Sequence, residues 1–499
     1  MIYNFNLGIG WASSGVEYAQ AYRAGVLRRI GREARFIFTD MFPTDNIQHM
    51  TENIGFLDSE VIWLYTFFTD CKIAPVTYTL TQLESTFGNR NYSVSREGAR
   101  VKYTFEGTNM YYMAYLTDDT KDRVHRVEMV SGGCLIRKDY FTYCRLYTEY
   151  YAPLDRQAHL YQRRFFNQDG TVAYEEIMDG DAVMYQFPDR LICSKAELVG
   201  YLVSRLNLTK EDMVIIDRTT DIGQTIMQNA APAKIGIAIH ADHFSESGTD
   251  EDHILWNNYY EYAFSQHKYM DFYIVSTDAQ NSLLAEQFRK YMGVAPFIVT
   301  IPVGSLDELK YPESGRIKHS LITASRLAGE KHIDWLIEAV AEVRKTVGDV
   351  SLDIYGKGKE EESLSRLMES LDCTDYIRLR GQHRMDQVYK GYEAYVSASA
   401  SEGFGLSLME AIGSGLPIVG FDVRYGNQNF IDEGKNGYKI PYDERMDKKE
   451  RIHHLARCII RLFTQADLEE FHRHSYEKAR TYLTEEVEKR WINLLDRMM

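Results

Sequence analysis

The sequence predicts an α/β protein: two Rossmann-like parallel-sheet domains, the first interrupted by an inserted antiparallel β domain. Three observations predict it. Residues 2–7 form a short apolar run, followed by the loop GIGWASSG, helical spacing over 16–30 and a second apolar run at 34–39, ending at Asp40. Strand, glycine loop, helix and strand in that order make a βαβ unit of the nucleotide-binding kind. From about 73 to 201 the texture changes to apolar–polar alternation broken at Gly, Asn and Asp. In that stretch 14 of the 36 tyrosines fall between Tyr92 and Tyr201, and such aromatic enrichment with period 2 marks an antiparallel meander with one face exposed. From Met213 onward strand-like and helix-like runs alternate again, as doubly wound parallel sheets require.

Taken in order, MVIIDRTTD, KIGIAIHAD, YIVSTDAQ and FIVTIPVG resume the first sheet and finish it near residue 303. The second sheet is expected from SLITASRL, SLDIYGKG, YIRLRG, AYVSAS, PIVGFD and GYKIPY, with helices over 333–347, 360–371, near 385–391 and in GFGLSLMEAIGSG. The expected organisation is 1–72 and 211–305 as the split N-terminal domain and 73–210 as the insertion, whose exposed, tyrosine-rich face is read as an acceptor and partner docking surface. A C-terminal domain over 306–475 follows, then a last helix over 476–499 returning to the first domain.

Composition narrows the function. With 499 residues, 44% hydrophobic and 26% charged, the chain builds large cores and is not globally disordered. Its 57 Lys plus Arg against 72 Asp plus Glu give a net charge of -15, which argues against nucleic-acid binding. The 6 cysteines are scattered without a close C-x-x-C pair and read as reduced thiols, neither a disulfide framework nor a zinc site. The opening residues lack the basic and apolar regions of a secretion signal, and no apolar stretch approaches the ~20 residues of a membrane span. A cytoplasmic protein is the expectation. The helical C-terminus carries Arg451, Arg457 and Arg461; a solvated face is the first reading, a partner or membrane-surface contact the alternative.

Chemistry concentrates in the second sheet domain. Arg326 and Lys331 follow the strand SLITAS, at the carboxyl end where such sheets bind ligands. Two cations there suit a diphosphate, Arg as a bidentate donor and Lys as a point charge. Glu402 and Glu410 flank a Gly403-x-Gly405 turn that opens a helix, and a helix N-terminus is an anion site. Glu402 is placed to accept sugar hydroxyls and Glu410 both ribose hydroxyls. In the N-terminal loop Gly8-x-Gly10 mimics a dinucleotide fingerprint, but Ser13 stands where the third glycine belongs. A longer loop with Ser13, Ser14, Gly15 and Val16 suits backbone approach to a phosphate instead. His240 ends the strand IGIAIHAD at the ligand edge, and a structural histidine is the alternative there. Asp179-Gly-Asp181 is a D-x-D, but it sits in a Gly/Asp turn of the insertion, away from these motifs. No metal is therefore predicted.

Arg326, Lys331 and Glu402-x7-Glu410 in GFGLSLMEA, followed by AIGSGLPIVGFD, resemble the retaining GT-B glycosyltransferases of family 4. That resemblance implies a GT-B fold, two Rossmann-like domains facing a cleft that holds a nucleotide sugar. It implies Arg326 and Lys331 on the diphosphate, together with Ser14, Gly15, Val16 and Glu17. It further implies Glu402 and the backbone of Gly403, Phe404 and Gly405 on the sugar, Glu410 on the ribose, Gln382 and His383 of RLRGQHR on the base, and His240 at the donor sugar. Among the named residues Glu402, Arg326, Lys331 and His240 are the catalytic candidates. LGIGWASSGVEYAQAYRA and the tyrosine-rich insertion extend the resemblance, over essentially the whole chain, to the peptide-priming O-glycosyltransferase A subunits of the accessory Sec pathway. Those imply transfer of N-acetylglucosamine from UDP-GlcNAc to Ser or Thr of a serine-rich-repeat adhesin, with a non-catalytic B-subunit partner holding the acceptor. Beyond the UDP-sugar substrate no cofactor is implied. Two alternatives remain at this point: a family-4 enzyme using UDP-glucose or a small-molecule, lipid or cell-wall acceptor, and a non-catalytic lectin-like subunit.

Overall fold

The computed structural model describes residues 1–9, 15–43, 45–154, 157–443 and 445–499. The chain divides into two compact units, one of residues 1–237 and 261–271 with Met499, the other of residues 238–260 and 272–498.

The first unit holds a parallel sheet in which residues 234–237, Met213–Ile216, Ile2–Asn6, Ala34–Phe38 and Val61–Trp63 lie side by side. Phe5, Phe36, Ile37, Phe38, Ile215 and Ile216 are fully buried in it, the continuous apolar texture of a sheet covered on both faces. Helix Gly15–Arg29 is locked onto the sheet by a buried pair, Arg23 to Asp217 at 2.8 Å, with Gln20 also donating to Asp217 at 2.7 Å.

The insertion is a ten-stranded sheet running in sequence order from Tyr92–Glu97 to Leu191–Ile192, with the paired neighbours antiparallel. Its D-x-D is a turn. Asp179 pairs with Ala182, leaving Gly180 and Asp181 as the two-residue connection. Its tyrosines divide between covered and open positions: Tyr103, Tyr174 and Tyr185 are fully buried, whereas Tyr161 is exposed and Tyr111, Tyr112 and Tyr115 are half-buried. Near its start the sheet covers helix Leu80–Ser85 through Val101, Tyr103 and Phe105. Further along, Tyr65, Phe165 and Tyr174 stack at 5.6 Å and 4.5 Å. Arg163 lies between Glu149 at 3.0 Å and Glu176 at 2.8 Å, cross-strand neighbours in a ladder closed over by this aromatic stack. All six cysteines are free thiols; Cys71 and Cys144 approach to 3.7 Å.

The second unit contains a parallel pair, Phe272–Val275 with Ile298–Thr300, and a six-stranded parallel sheet. The sheet order is Ile377–Gly381, Ser351–Tyr355, Ser320–Ala324, Ala394–Ser397, Ile418–Phe421, Gly437–Ile440. In chain order that is 3-2-1-4-5-6, the doubly wound arrangement whose direction reverses between Ser320–Ala324 and Ala394–Ser397. Helices Ile333–Val343 and Lys448–Gln465 cover one face through Leu336, Ile337, Val340, Leu455 and Ile459. The helix expected near 385–391 is only a short 3-10 turn at Tyr389–Gly391. The last helix, Thr484–Met498, lays Arg497 over the Phe297 ring at 3.7 Å.

Candidate active site

The reversal point of the six-stranded sheet is where the candidate residues of the second unit collect. Strand Ser320–Ala324 delivers Ser325 and Arg326, and strand Ala394–Ser397 runs into the turn that carries Glu402 to Gly405. Between them opens a cavity of about 350 Å³ lined by Arg326, Tyr355, Gln382, His383, Tyr389 and Glu410, among others. Four of the residues singled out in the sequence therefore face one space.

Each is held by identifiable contacts. Glu410 stands on helix Leu406–Gly413 and accepts from the Tyr389 hydroxyl at 3.1 Å. Burial raises its carboxyl pKa, and the Tyr389 hydrogen bond works against that rise. His383 Nε2 lies 2.7 Å from the Arg380 carbonyl. A carbonyl only accepts, so Nε2 carries the proton and Nδ1 remains an acceptor. The Arg326 side chain is 79% exposed and meets a loose partner, Glu330 at 3.2 Å, so its guanidinium is accessible to an anion.

Beside the cavity Lys331 Nζ donates to Glu402 Oε2 at 2.6 Å, both side chains mostly covered. The pair neutralises the two groups until a ligand competes. Gly405 caps the following helix at φ 87° and, as a glycine, supplies no side-chain cap to its first turn. The helix start thus turns bare backbone toward the site, the condition for anion binding. A Cβ at Gly405 would meet Leu408 Cδ1 at 2.7 Å. The Phe404 side chain is buried against Phe430 at 5.1 Å, which is compatible with the backbone contact expected of it. Only its backbone is left to touch a sugar. His240 is half-buried, and its peptide N–H donates to Tyr260 at 3.0 Å.

The N-terminal candidates belong to the other unit. Ser14, with Gly10 and Ser13, lies outside the described residues. Gly15 opens helix Gly15–Arg29, Val16 is buried, and the buried Glu17 accepts from Asn6 at 3.3 Å, so its carboxylate is committed to the core.

Sequence reasoning passed over Tyr355, Tyr389, His243 and Tyr425. Tyr355 ends strand Ser351–Tyr355, so the carboxyl-end argument that found Arg326 finds it too. Tyr389 and the buried His243–Tyr425 pair carry no local pattern.

Two family models match the chain: the GtfA extended beta-sheet domain over residues 93–189 and the glycosyl transferases group 1 over residues 318–464. A curated relative from Streptococcus gordonii, the GtfA subunit of UDP-N-acetylglucosamine--peptide N-acetylglucosaminyltransferase, is 52% identical, covering 99% of this chain and 98% of its own. The solved GtfA/B complex superposes with a TM-score of 0.97 at 52% identity, over 100% of this chain and 99% of that one. The pneumococcal O-GlcNAc transferase GtfA, solved with UDP and GlcNAc, gives 0.91 at 48% identity over 100% and 98%. Fold and site together define a glycosyltransferase of the GT-B class. Within that class, the chain belongs to the family of GtfA subunits of UDP-N-acetylglucosamine--peptide N-acetylglucosaminyltransferases.

Proposed function

We propose that the chain transfers N-acetylglucosamine from UDP-GlcNAc to Ser or Thr hydroxyls of a polypeptide, with retention at the anomeric carbon. One observation carries the reading: Arg326, Gln382, His383 and Glu410 share a cavity at the sheet reversal, with the Lys331–Glu402 pair beside it. Uracil fits against Gln382 and His383, ribose against Glu410, and the diphosphate against Arg326, Lys331 and the start of helix Leu406–Gly413. His240, Glu402 and the backbone of Gly403 to Gly405 face the sugar. For residues 14–17 the reading keeps a backbone contribution to phosphate binding.

As the sugar–phosphate bond opens, positive charge grows on the sugar ring and negative charge on the leaving diphosphate. Preorganised cations and amide dipoles at the leaving group each supply about 3 kcal/mol to such a step. No carboxylate is assigned as a nucleophile, because both glutamates are read as donor contacts. The acceptor hydroxyl then attacks from the face the phosphate leaves, and the phosphate oxygen takes its proton. Arg326 and Lys331 already provide the positive charge, so the reading assigns no metal.

The acceptor is read as a serine-rich-repeat adhesin of the accessory Sec pathway, and the partner as a B subunit. The partner reading is supported by the GtfA/B complex of the similar protein. No described helix is long and apolar enough to cross a membrane, so any membrane contact is proposed as peripheral and made through the complex. The test incubates the purified chain, with and without its partner, with a Ser-rich polypeptide and UDP-GlcNAc or UDP-glucose. Mass spectrometry is expected to find N-acetylhexosamine on Ser or Thr. Hexose addition, or donor consumption without modified polypeptide, would overturn the reading.

A further inference from the structure

His240 and Glu402 come from distant parts of the chain, yet both must meet one sugar ring. The segment 238–260, which carries His240, lies in the same compact unit as the six-stranded sheet. Three residues beyond His240, His243 is completely buried. Its Nε2 lies 2.7 Å from Gln287 Oε1, and its Nδ1 lies 2.9 Å from the Tyr425 hydroxyl. The amide oxygen only accepts, so Nε2 carries the proton and Nδ1 accepts from Tyr425. The two rings stack at 5.7 Å, 16° from parallel. Burial lowers the His243 pKa to about 4, which keeps the neutral form at neutral pH.

Tyr425 is tied at its other end to Glu402. The peptide N–H groups of Tyr425 and Gly426 both donate to the Glu402 carbonyl at 2.7 Å, and the Glu402 N–H donates to the Arg424 carbonyl at 3.1 Å. Two further ties run alongside: Ser401 Oγ to Asp242 Oδ2 at 3.3 Å and Arg424 Nη2 to Glu246 Oε2 at 3.3 Å. The approach is close enough that a Cβ on Gly403 would lie 3.1 Å from the His240 carbonyl. Neither His243 nor Tyr425 lines the cavity assigned to the nucleotide.

We propose that Tyr425 and His243 are positioning residues of the transfer step: their hydrogen bond sets the placement of His240 relative to Glu402, and nucleotide binding does not depend on it. The proposal rests on the donor-site reading above. A buried polar pair adds little net stability over an apolar pair of the same shape, so its worth lies in direction. A misplacement near 1 Å at a reacting centre costs on the order of a hundredfold in rate.

The test uses the full chain, with its partner where transfer requires it, and Tyr425→Phe, which removes only the hydroxyl. Expected is a tenfold or greater fall in kcat, with KM for UDP-GlcNAc and calorimetric UDP affinity within about twofold of wild type. His243→Asn keeps an acceptor near the Nδ1 position and should retain at least fivefold more kcat than His243→Leu at equal melting temperature. Adding Tyr425→Phe to His243→Leu should cost less than Tyr425→Phe costs alone. Unchanged kcat in Tyr425→Phe, or kcat losses that merely follow melting temperature, would overturn the positioning role while the donor site stands. Failure of the wild-type protein to bind UDP would overturn the donor site and this proposal with it.

Discussion

Glu410 is a carboxylate kept under cover at the wall of the cavity. Burial raises its pKa, so in the window between the unfolded value of about 4.3 and the raised folded value the native state holds more protons than the unfolded chain. Stability is therefore lost as pH climbs through that window, and the full cost persists above it. Glu410→Gln should melt higher than wild type at pH 7 and lose that advantage at pH 4. Calorimetry should find UDP affinity weakened about tenfold, the worth of one charge-assisted acceptor. Around the diphosphate and the sugar, Arg326→Ala, Lys331→Ala and Glu402→Ala should each remove most transfer while circular dichroism stays native. Near-normal turnover in all three would refute the assignment. Residues of this kind were legible because strand ends and a Glu-flanked glycine turn leave local patterns. The Tyr425–His243 contact spans 182 positions and joins two neutral groups, so no spacing announces it.

Among the elements, helix Leu406–Gly413 is the one on which the site turns. Gly405 holds φ 87° at its start, a conformation an L side chain adopts at a cost of about 1–2 kcal/mol. Gly405→Ala adds a Cβ 2.7 Å from Leu408 Cδ1, so denaturant melts should register at least that loss, with weaker UDP binding in calorimetry. Alternating strands and helices made both parallel sheets readable, since period and turn chemistry are local. The meander was readable as strands for the same reason, but its covered surfaces were not. Which tyrosines lie inside depends on helix Leu80–Ser85 and on the Tyr65 ring reaching the sheet, and neither contact has a sequence period.

For the whole molecule, the meander belongs to one compact unit and the cavity at the sheet reversal to the other. Arg163 neutralises Glu149 and Glu176 inside the meander, and removing it strands two buried carboxylates. Arg163→Met should destabilise the insertion by about 3–5 kcal/mol. Limited proteolysis should then cut first within 92–192, and pull-down should recover less partner, while UDP affinity holds. Loss of UDP binding in step with proteolysis would mean that the meander supports the donor site as well.

The central claim is that the donor nucleotide occupies the reversal point of the six-stranded sheet. Hydrogen–deuterium exchange of the full chain, with and without UDP-GlcNAc, tests it most directly. The account predicts slowed exchange in peptides covering 324–331, 381–389 and 402–410. Unchanged exchange in all three, with protection elsewhere in the chain, would contradict it.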